Sequence, residues 1–320
     1  MGETDISPLG PFGTASDYIR CLDGVPGWFL HVDARLLMGV DALQRERGVT
    51  GDVLEIGTYK GKSAILLGHL LRERERLVVC DIFEDLGHVG QETLDEAAVW
   101  YTGLRRQEFE DQFLRFHRRL PTIWQMKSSS IDRAGLARSC RIVHIDGSHA
   151  YEDVRGDIAT VRDILGPGGV AVFDDWSTAH VPGVALAIWE EFLRGDAHLL
   201  CLTPLKAYIT WDTAGLRRGD VERWVSAQPD LEKSYPHRLA GQDVRTVSSA
   251  PAPRPAPAAF EMENAPVQET PEQASGTDPT VGSAPIRRRR VRRVILQLAP
   301  PLFLAGYRRA RLAYRRRRGR

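Results

Sequence analysis

From Val53 to Ile56 the chain is apolar except at Glu55, and the run stops at Gly57. A short apolar run closed by glycine reads as a buried strand. Past Gly61, the residues Ala64, Ile65, Leu66, Leu67 and Leu70 recur at helical spacing, so a helix follows the turn. The pattern then repeats. Residues 77–80, 123–126, 141–145 and 170–173 are further strand-like runs, while Val154, Ile158, Val161 and Leu165, and later Val184, Ile188 and Phe192, align on helix faces. A helix over about 33–47, with Leu36, Leu37, Val40 and Leu43 on one side, precedes the first strand. Residues 198–203 and 206–211 are so close that only an antiparallel hairpin joins them. Residues 82–125 are less regular; His88, Trp100, Tyr101 and a helix near 104–120 read as an insertion covering a substrate. Strands alternating with amphipathic helices predict an α/β fold: a doubly wound, mostly parallel seven-stranded sheet with an antiparallel edge hairpin.

Composition divides the chain into three parts: a folded domain over 1–247, a linker over 248–285 and a tail over 286–320. The linker has eight Pro in 38 residues and few large apolar groups, too little to fold on. The formal charge of +1 hides an asymmetry, because the tail holds 14 of the 43 basic residues and no acid, leaving 29 basic against 42 acidic groups in residues 1–285. An acidic body with a basic tail points to an anionic partner for the tail rather than nucleic acid on the body. The tail also carries an apolar patch at 294–304, too short and Pro-broken to span a bilayer but suited to its surface. An anionic membrane surface, nucleic acid and no partner at all are the three readings of the tail. The four cysteines form no C-x-x-C pair and read as reduced core thiols; with no signal pattern and no membrane-length run, a cytoplasmic protein is expected, peripheral to a membrane if the tail binds one.

Polar residues collect where the strands end, at Gly57, Asp81, Ser128, Asp146 and Asp174. In an open α/β sheet that edge is where ligands sit. Gly57 and Gly61 bracket three residues, one short of a P-loop, so a nucleoside fits the corner better than a wrapped phosphate, although an ordinary strand-to-helix turn shows the same pair. Asp81, 24 residues after Gly57, is placed to accept ribose hydroxyls. Asp146 ends one strand, and Asp174 and Asp175 end the next. If those strands are neighbours, three carboxylates converge and need protons or a cation, for which oxygen ligands favour Mg²⁺, Mn²⁺ or Ca²⁺ over zinc; the other reading is that each acid caps its own turn. His149 stands three residues after Asp146, placed to serve as a base at neutral pH. His144 points into the strand interior and reads as packed or adenine-facing.

The run from Glu55 through Gly57, Tyr59 and Gly61 to Ser63 resembles the first motif of class I S-adenosylmethionine methyltransferases, which are Rossmann-like, and especially their catechol O-methyltransferase branch. The stretch His144-Ile-Asp146-Gly-Ser-His149, followed by the segment from Leu165 to Asp174-Asp175-Trp176, resembles metal-dependent O-methyltransferases acting on sugar hydroxyls of macrolides and related glycosides. The resemblance covers about residues 26–212. It implies S-adenosylmethionine held by Glu55, Gly57, Tyr59, Gly61, Ser63, Asp81, Ser128, Ser129 and Asp146. It also implies Mg²⁺ or another hard divalent cation on Asp146, Asp174 and Asp175, with His149 as base. Where the catechol enzymes place a lysine at the Asp-x-x-base spacing, this chain has histidine and sides with the sugar enzymes. The expected activity is methyl transfer to a hydroxyl of a sugar, glycoside or other small natural product, with a homo-oligomer compatible. The alternatives are a nucleoside-binding, non-catalytic subunit of a tailoring complex and a metal-dependent hydroxylase; no 2-His-1-carboxylate spacing favours the latter.

Overall fold

A computed structural model describes residues 13–250, apart from His88, Thr213 and Ala240. The chain runs α1 (Ala15–Arg20), α2 (His31–Glu46), β1 (Asp52–Ile56), α3 (Lys62–Leu70), β2 (Leu77–Asp81), α4 (Gln91–Trp100), α5 (Arg106–Leu114), β3 (Thr122–Gln125), β4 (Cys140–Ile145), α6 (Tyr151–Ile164), β5 (Leu165–Phe173), α7 (Pro182–Arg194), β6 (His198–Leu202), β7 (Ala207–Thr210) and α8 (Arg218–Ser226). Four short strands follow, β8 (Leu231–Lys233), β9 (His237–Leu239), β10 (Gln242–Val244) and β11 (Val247–Ser249); β9 and β10 form an antiparallel hairpin, and β8 pairs antiparallel with β11 on either side of it in the chain.

The main sheet has the order β3-β2-β1-β4-β5-β7-β6, parallel through β5 and antiparallel at β7 and β6. The expected doubly wound, Rossmann-like sheet with its edge hairpin is therefore present. Its strands read as nearly continuous apolar runs because both faces are covered. Val53, Val79, Ile142 and Val172 pack on one side with Leu36, Leu37, Ile65 and Leu66 of α2 and α3. Leu54, Val78, Val143 and Ala171 pack on the other with Val154, Ile158, Val161, Val184 and Ile188 of α6 and α7. The strand order reverses between β1 and β4, the switch point at which such sheets bind ligands outside their carboxyl ends.

The elements depart from the sequence reading at four places. Residues 91–100 form α4, which was not anticipated because among its residues only Ala97 is buried, leaving no apolar stripe to recognise. The helix expected near 104–120 is the shorter α5. Leu165, expected as the last residue on the α6 face, instead begins β5 and pairs with Cys140, with an irregular register up to Ile142. Ser248 and Ser249, placed in the linker, extend β11 against β8. The rest of the expected linker and the whole Arg-rich tail lie outside the described residues, as does His88. All four cysteines are free, three of them buried. Among the described residues no helix is long and apolar enough to cross a membrane.

Candidate active site

The turn from β1 into α3 is built on two left-handed glycines, Gly57 (φ 76°) and Gly61 (φ 83°). Internal packing demands both. A Cβ on Gly57 would lie 2.0 Å from the carbonyl oxygen of Asp146, and one on Gly61 2.8 Å from the Phe109 ring. Tyr59 between them is also left-handed, at φ 52°. Asp81, the last residue of β2, ties this turn down: Oδ2 accepts from the backbone N–H of Thr58 (2.7 Å) and Tyr59 (3.2 Å), and Oδ1 from that of Phe83 (2.6 Å). Burial raises its pKa above the ordinary carboxylate value, more than these N–H groups lower it. Glu55 is fully buried and committed inward, accepting from Thr58 Oγ1 (2.7 Å) and sitting 2.9 Å from His144 Nδ1. It shapes the corner from beneath. Ser63 is buried in the first turn of α3, Ser128 lies beside Asp157 of α6, and Ser129 is exposed.

Asp146 and Asp174 leave the neighbouring strands β4 and β5, with Asp146 N–H bonded to Ile56 O (2.7 Å) and Asp174 N–H to Ile145 O (2.9 Å). Beyond them Asp146, His149 and Asp175 converge, each offering a ligand atom within 4.8 Å of the others. His149 Nε2 faces Asp175 Oδ2 at 3.3 Å and Asp146 Oδ1 at 3.7 Å, without hydrogen-bond geometry to either. Asp175 takes a left-handed backbone (φ 57°), tolerable for aspartate, and accepts from Thr178 Oγ1. Burial, with the neighbouring charge of Asp174, pushes Asp146 up to about 6 and raises Asp175. Burial disfavours a charged His149, but Asp146 and Glu96 beside it outweigh that and push the imidazole up to about 11.

Asp174, expected as a third metal ligand, is not gathered with them. Its Oδ2 pairs with the buried ammonium of Lys206 and its Oδ1 accepts from Asp175 N–H (2.9 Å). Burial would raise this acid, but Lys206 holds it below the usual carboxylate value. A donor in ion-pair contact is closed to a cation while the pair lasts, so the cluster as it stands is two carboxylates and an imidazole. That set still fits a hard divalent ion: its carboxylate oxygens are crowded together and pushed toward protonation by burial.

Sequence reasoning missed three further residues here. Lys206 opens the apolar strand of the edge hairpin, a lone cation in a buried run. Asp33 sits on the apolar face of α2, in register with Leu36, Leu37 and Val40; it is fully buried with neither oxygen hydrogen-bonded, and burial pushes it up to about 6 against the pull of Lys206. Glu96 carried no signal, since α4 has no stripe. It pairs with His149 Nδ1. His144, read as packed or adenine-facing, is packed, against Glu55 and the edge of Phe29. The mouth is aromatic: Trp28 lies 5.0 Å from Tyr59 and 6.4 Å from Trp100, and Trp100 lies 5.9 Å from His180, ring centre to ring centre. Trp28 and Trp100 are 49% and 36% exposed.

Residues 54–176 match a family model described as a methyltransferase domain, a span running from β1 through Asp81 and the 146–149 loop to just past Asp175. No curated protein sequence matches the chain. Solved structures similar to it include CalS11, a TDP-rhamnose 3'-O-methyltransferase of calicheamicin biosynthesis, at 19% identity over 62% of this chain and 92% of that one (TM-score 0.38). The O-methyltransferase NovP is 17% identical over 54% and 78% (TM-score 0.43). TomG from Streptomyces achromogenes, an O-methyltransferase of tomaymycin synthesis, is 18% identical over 74% and 87% (TM-score 0.31). Residues 54–176 thus resemble a methyltransferase domain, and they lie on a mostly parallel seven-stranded sheet with an antiparallel edge.

Proposed function

We propose that this domain transfers a methyl group to a hydroxyl of a sugar, glycoside or other small natural product, with His149 taking the proton and Asp146 and Asp175 holding a hard divalent cation. The observation that carries the reading is the convergence of Asp146, His149 and Asp175 beside the glycine corner. S-adenosylmethionine supplies an electrophilic methyl group. The cation, Mg²⁺ by the character of the donors, would supply the charge that lowers the pKa of the acceptor hydroxyl.

The chain's own residues do the rest. Asp81 and the Gly57–Gly61 turn shape the nucleoside corner, with one acceptor position on Asp81 Oδ1 left for a ribose hydroxyl. His149 presents an unbonded Nε2 to the acid cluster. With its proton held up to about 11 by the surrounding carboxylates, it can act as a base near neutral pH only when their charge is offset. Lys206 takes up the charge of Asp174 from below. Trp28 and Trp100 offer exposed faces on which the ring of a sugar or aromatic acceptor can stack. Holding both reactants in one mouth supplies much of the rate.

The test is S-adenosylhomocysteine release by the full chain across a panel of hydroxylated glycosides and catechols, with and without chelator. Transfer that stops in EDTA and returns with added Mg²⁺ supports the reading. Full transfer in EDTA removes the cation from it.

A further inference from the structure

We propose that Glu96 is the positioning residue of His149, which makes helix α4 part of the catalytic apparatus rather than a connection between β2 and β3. The inference deepens the reading of His149 as proton acceptor and rests on it. A histidine that receives a proton on one ring nitrogen needs the other held, because the partner of the second nitrogen sets both tautomer and ring orientation. Here the division is visible. Nδ1 is paired with Glu96 Oε1, while Nε2 faces Asp146 and Asp175 with no hydrogen-bond partner. A carboxylate accepts, so Nδ1 keeps its hydrogen, and Nε2 is the nitrogen that loses its own once the surrounding charge is offset and then takes the acceptor's proton. Both side chains are largely sequestered, at 9% exposure for His149 and 14% for Glu96.

Two more observations separate this from incidental packing. Among the residues of α4 only Ala97 is buried, so the helix has little apolar reason to lie where it does. Its ties to the 146–149 loop are polar and specific: one turn before Glu96, Thr93 Oγ1 meets Ser148 Oγ at 3.1 Å, and Ser148 in turn donates to Asp153 (2.6 Å). The helix thus grips two neighbouring residues of the loop that carries the base. Its last residue and the next, Trp100 and Tyr101, reach the aromatic mouth, so the element that orients the base also meets the acceptor.

The test uses the full chain labelled with ¹⁵N-histidine, at one fixed pH with S-adenosylmethionine and no acceptor. Long-range proton–nitrogen correlation should show a downfield Nδ1–H signal assigned to His149 by its loss in His149→Gln. That signal is expected to disappear in Glu96→Ala and to persist, displaced, in Glu96→Gln, whose amide oxygen still accepts. Melting temperature should stay within about 4 °C and cofactor affinity within about twofold of wild type in both, as befits an orienting contact rather than a core one. If Glu96→Ala does not fold, Glu96→Met, of similar length but unable to accept, carries the same comparison. Survival of the signal in Glu96→Ala overturns the proposal. So does its loss in both variants together with cofactor binding, since Glu96 is then a part of the fold. Wild-type transfer by His149→Gln removes the base reading instead, and leaves the tautomer result to be judged by itself.

Discussion

Two buried charged clusters lie at opposite edges of the same sheet, and β4 reaches both. At its amino end Arg141, fully buried, donates to both oxygens of Glu75 (2.8–2.9 Å), to Gln44 Oε1 (3.0 Å) and to Leu70 O (2.9 Å), with Asp41 at 3.0 Å. Gln44 closes the circle by donating to the carbonyl of Arg141 (2.7 Å). Past its carboxyl end lie Asp146 and His149, with Asp175, Asp174, Lys206 and Asp33 around them. There both oxygens of Asp33 and the Nε2 atoms of His144 and His149 lack partners, and Asp33 and Asp146 are both pushed up to about 6. In the first cluster all three guanidinium nitrogens of Arg141 are bonded and Arg72 adds a second cation on Asp41 (3.0 Å), so it holds structure. The second is acid-rich and left open, and an open buried cluster is tolerated where a ligand completes it.

The sharpest way to break this comparison is to swap the expected readouts. His149→Ala is expected to lose turnover by roughly 10²–10⁴-fold while keeping cofactor affinity in calorimetry. Arg141→Met should do the reverse, costing on the order of 3–5 kcal/mol in urea unfolding, because Glu75 is left buried without the cation that meets both its oxygens, even though Asp41 keeps Arg45 and Arg72, while cofactor affinity of the folded fraction stays put. If Arg141→Met abolishes binding and leaves stability untouched, the two edges have been assigned the wrong way round.

A smaller effect sharpens the open side. The folded-state pKa of Asp33 is raised to about 6 from an ordinary 3.8, so the native state binds this proton more tightly than the unfolded chain. That contribution to stability is full below about pH 4 and is lost as pH rises through about 6. Asp33→Asn should therefore be more stable than wild type above pH 6, by roughly 3 kcal/mol at most, with the difference shrinking as pH falls toward 4. A pH-independent difference in chemical unfolding contradicts it. Smaller again, Asp81→Ala should weaken cofactor binding by about 1.5–3 kcal/mol, the scale of hydrogen bonds to a charged group. Unchanged affinity in calorimetry would take Asp81 out of the corner.

The alternation of apolar runs made the sheet legible, because strands buried on both faces have little freedom in composition. The pair Asp146 and His149 was legible too, since three residues of separation on a tight loop keep them together. What the chain does with Asp174 was not. Its partner Lys206 is 32 residues away, brought over only by the antiparallel return of β7. Glu96 lies on an exposed helix with no stripe to announce it. The corner glycines were readable as glycines, but the reason for them, the close pass of Asp146 and of Phe109, depends on contacts that no local pattern encodes.

The central claim is that the open cluster is a cation site made by Asp146 and Asp175. Mn²⁺ titration of the full chain, followed by electron paramagnetic resonance, tests it without an acceptor. The account predicts one site in wild type, kept in Arg141→Met, and weakened by about tenfold or more, 1.4 kcal/mol, in Asp146→Asn and in Asp175→Asn. Wild-type Mn²⁺ affinity in both aspartate variants would contradict it.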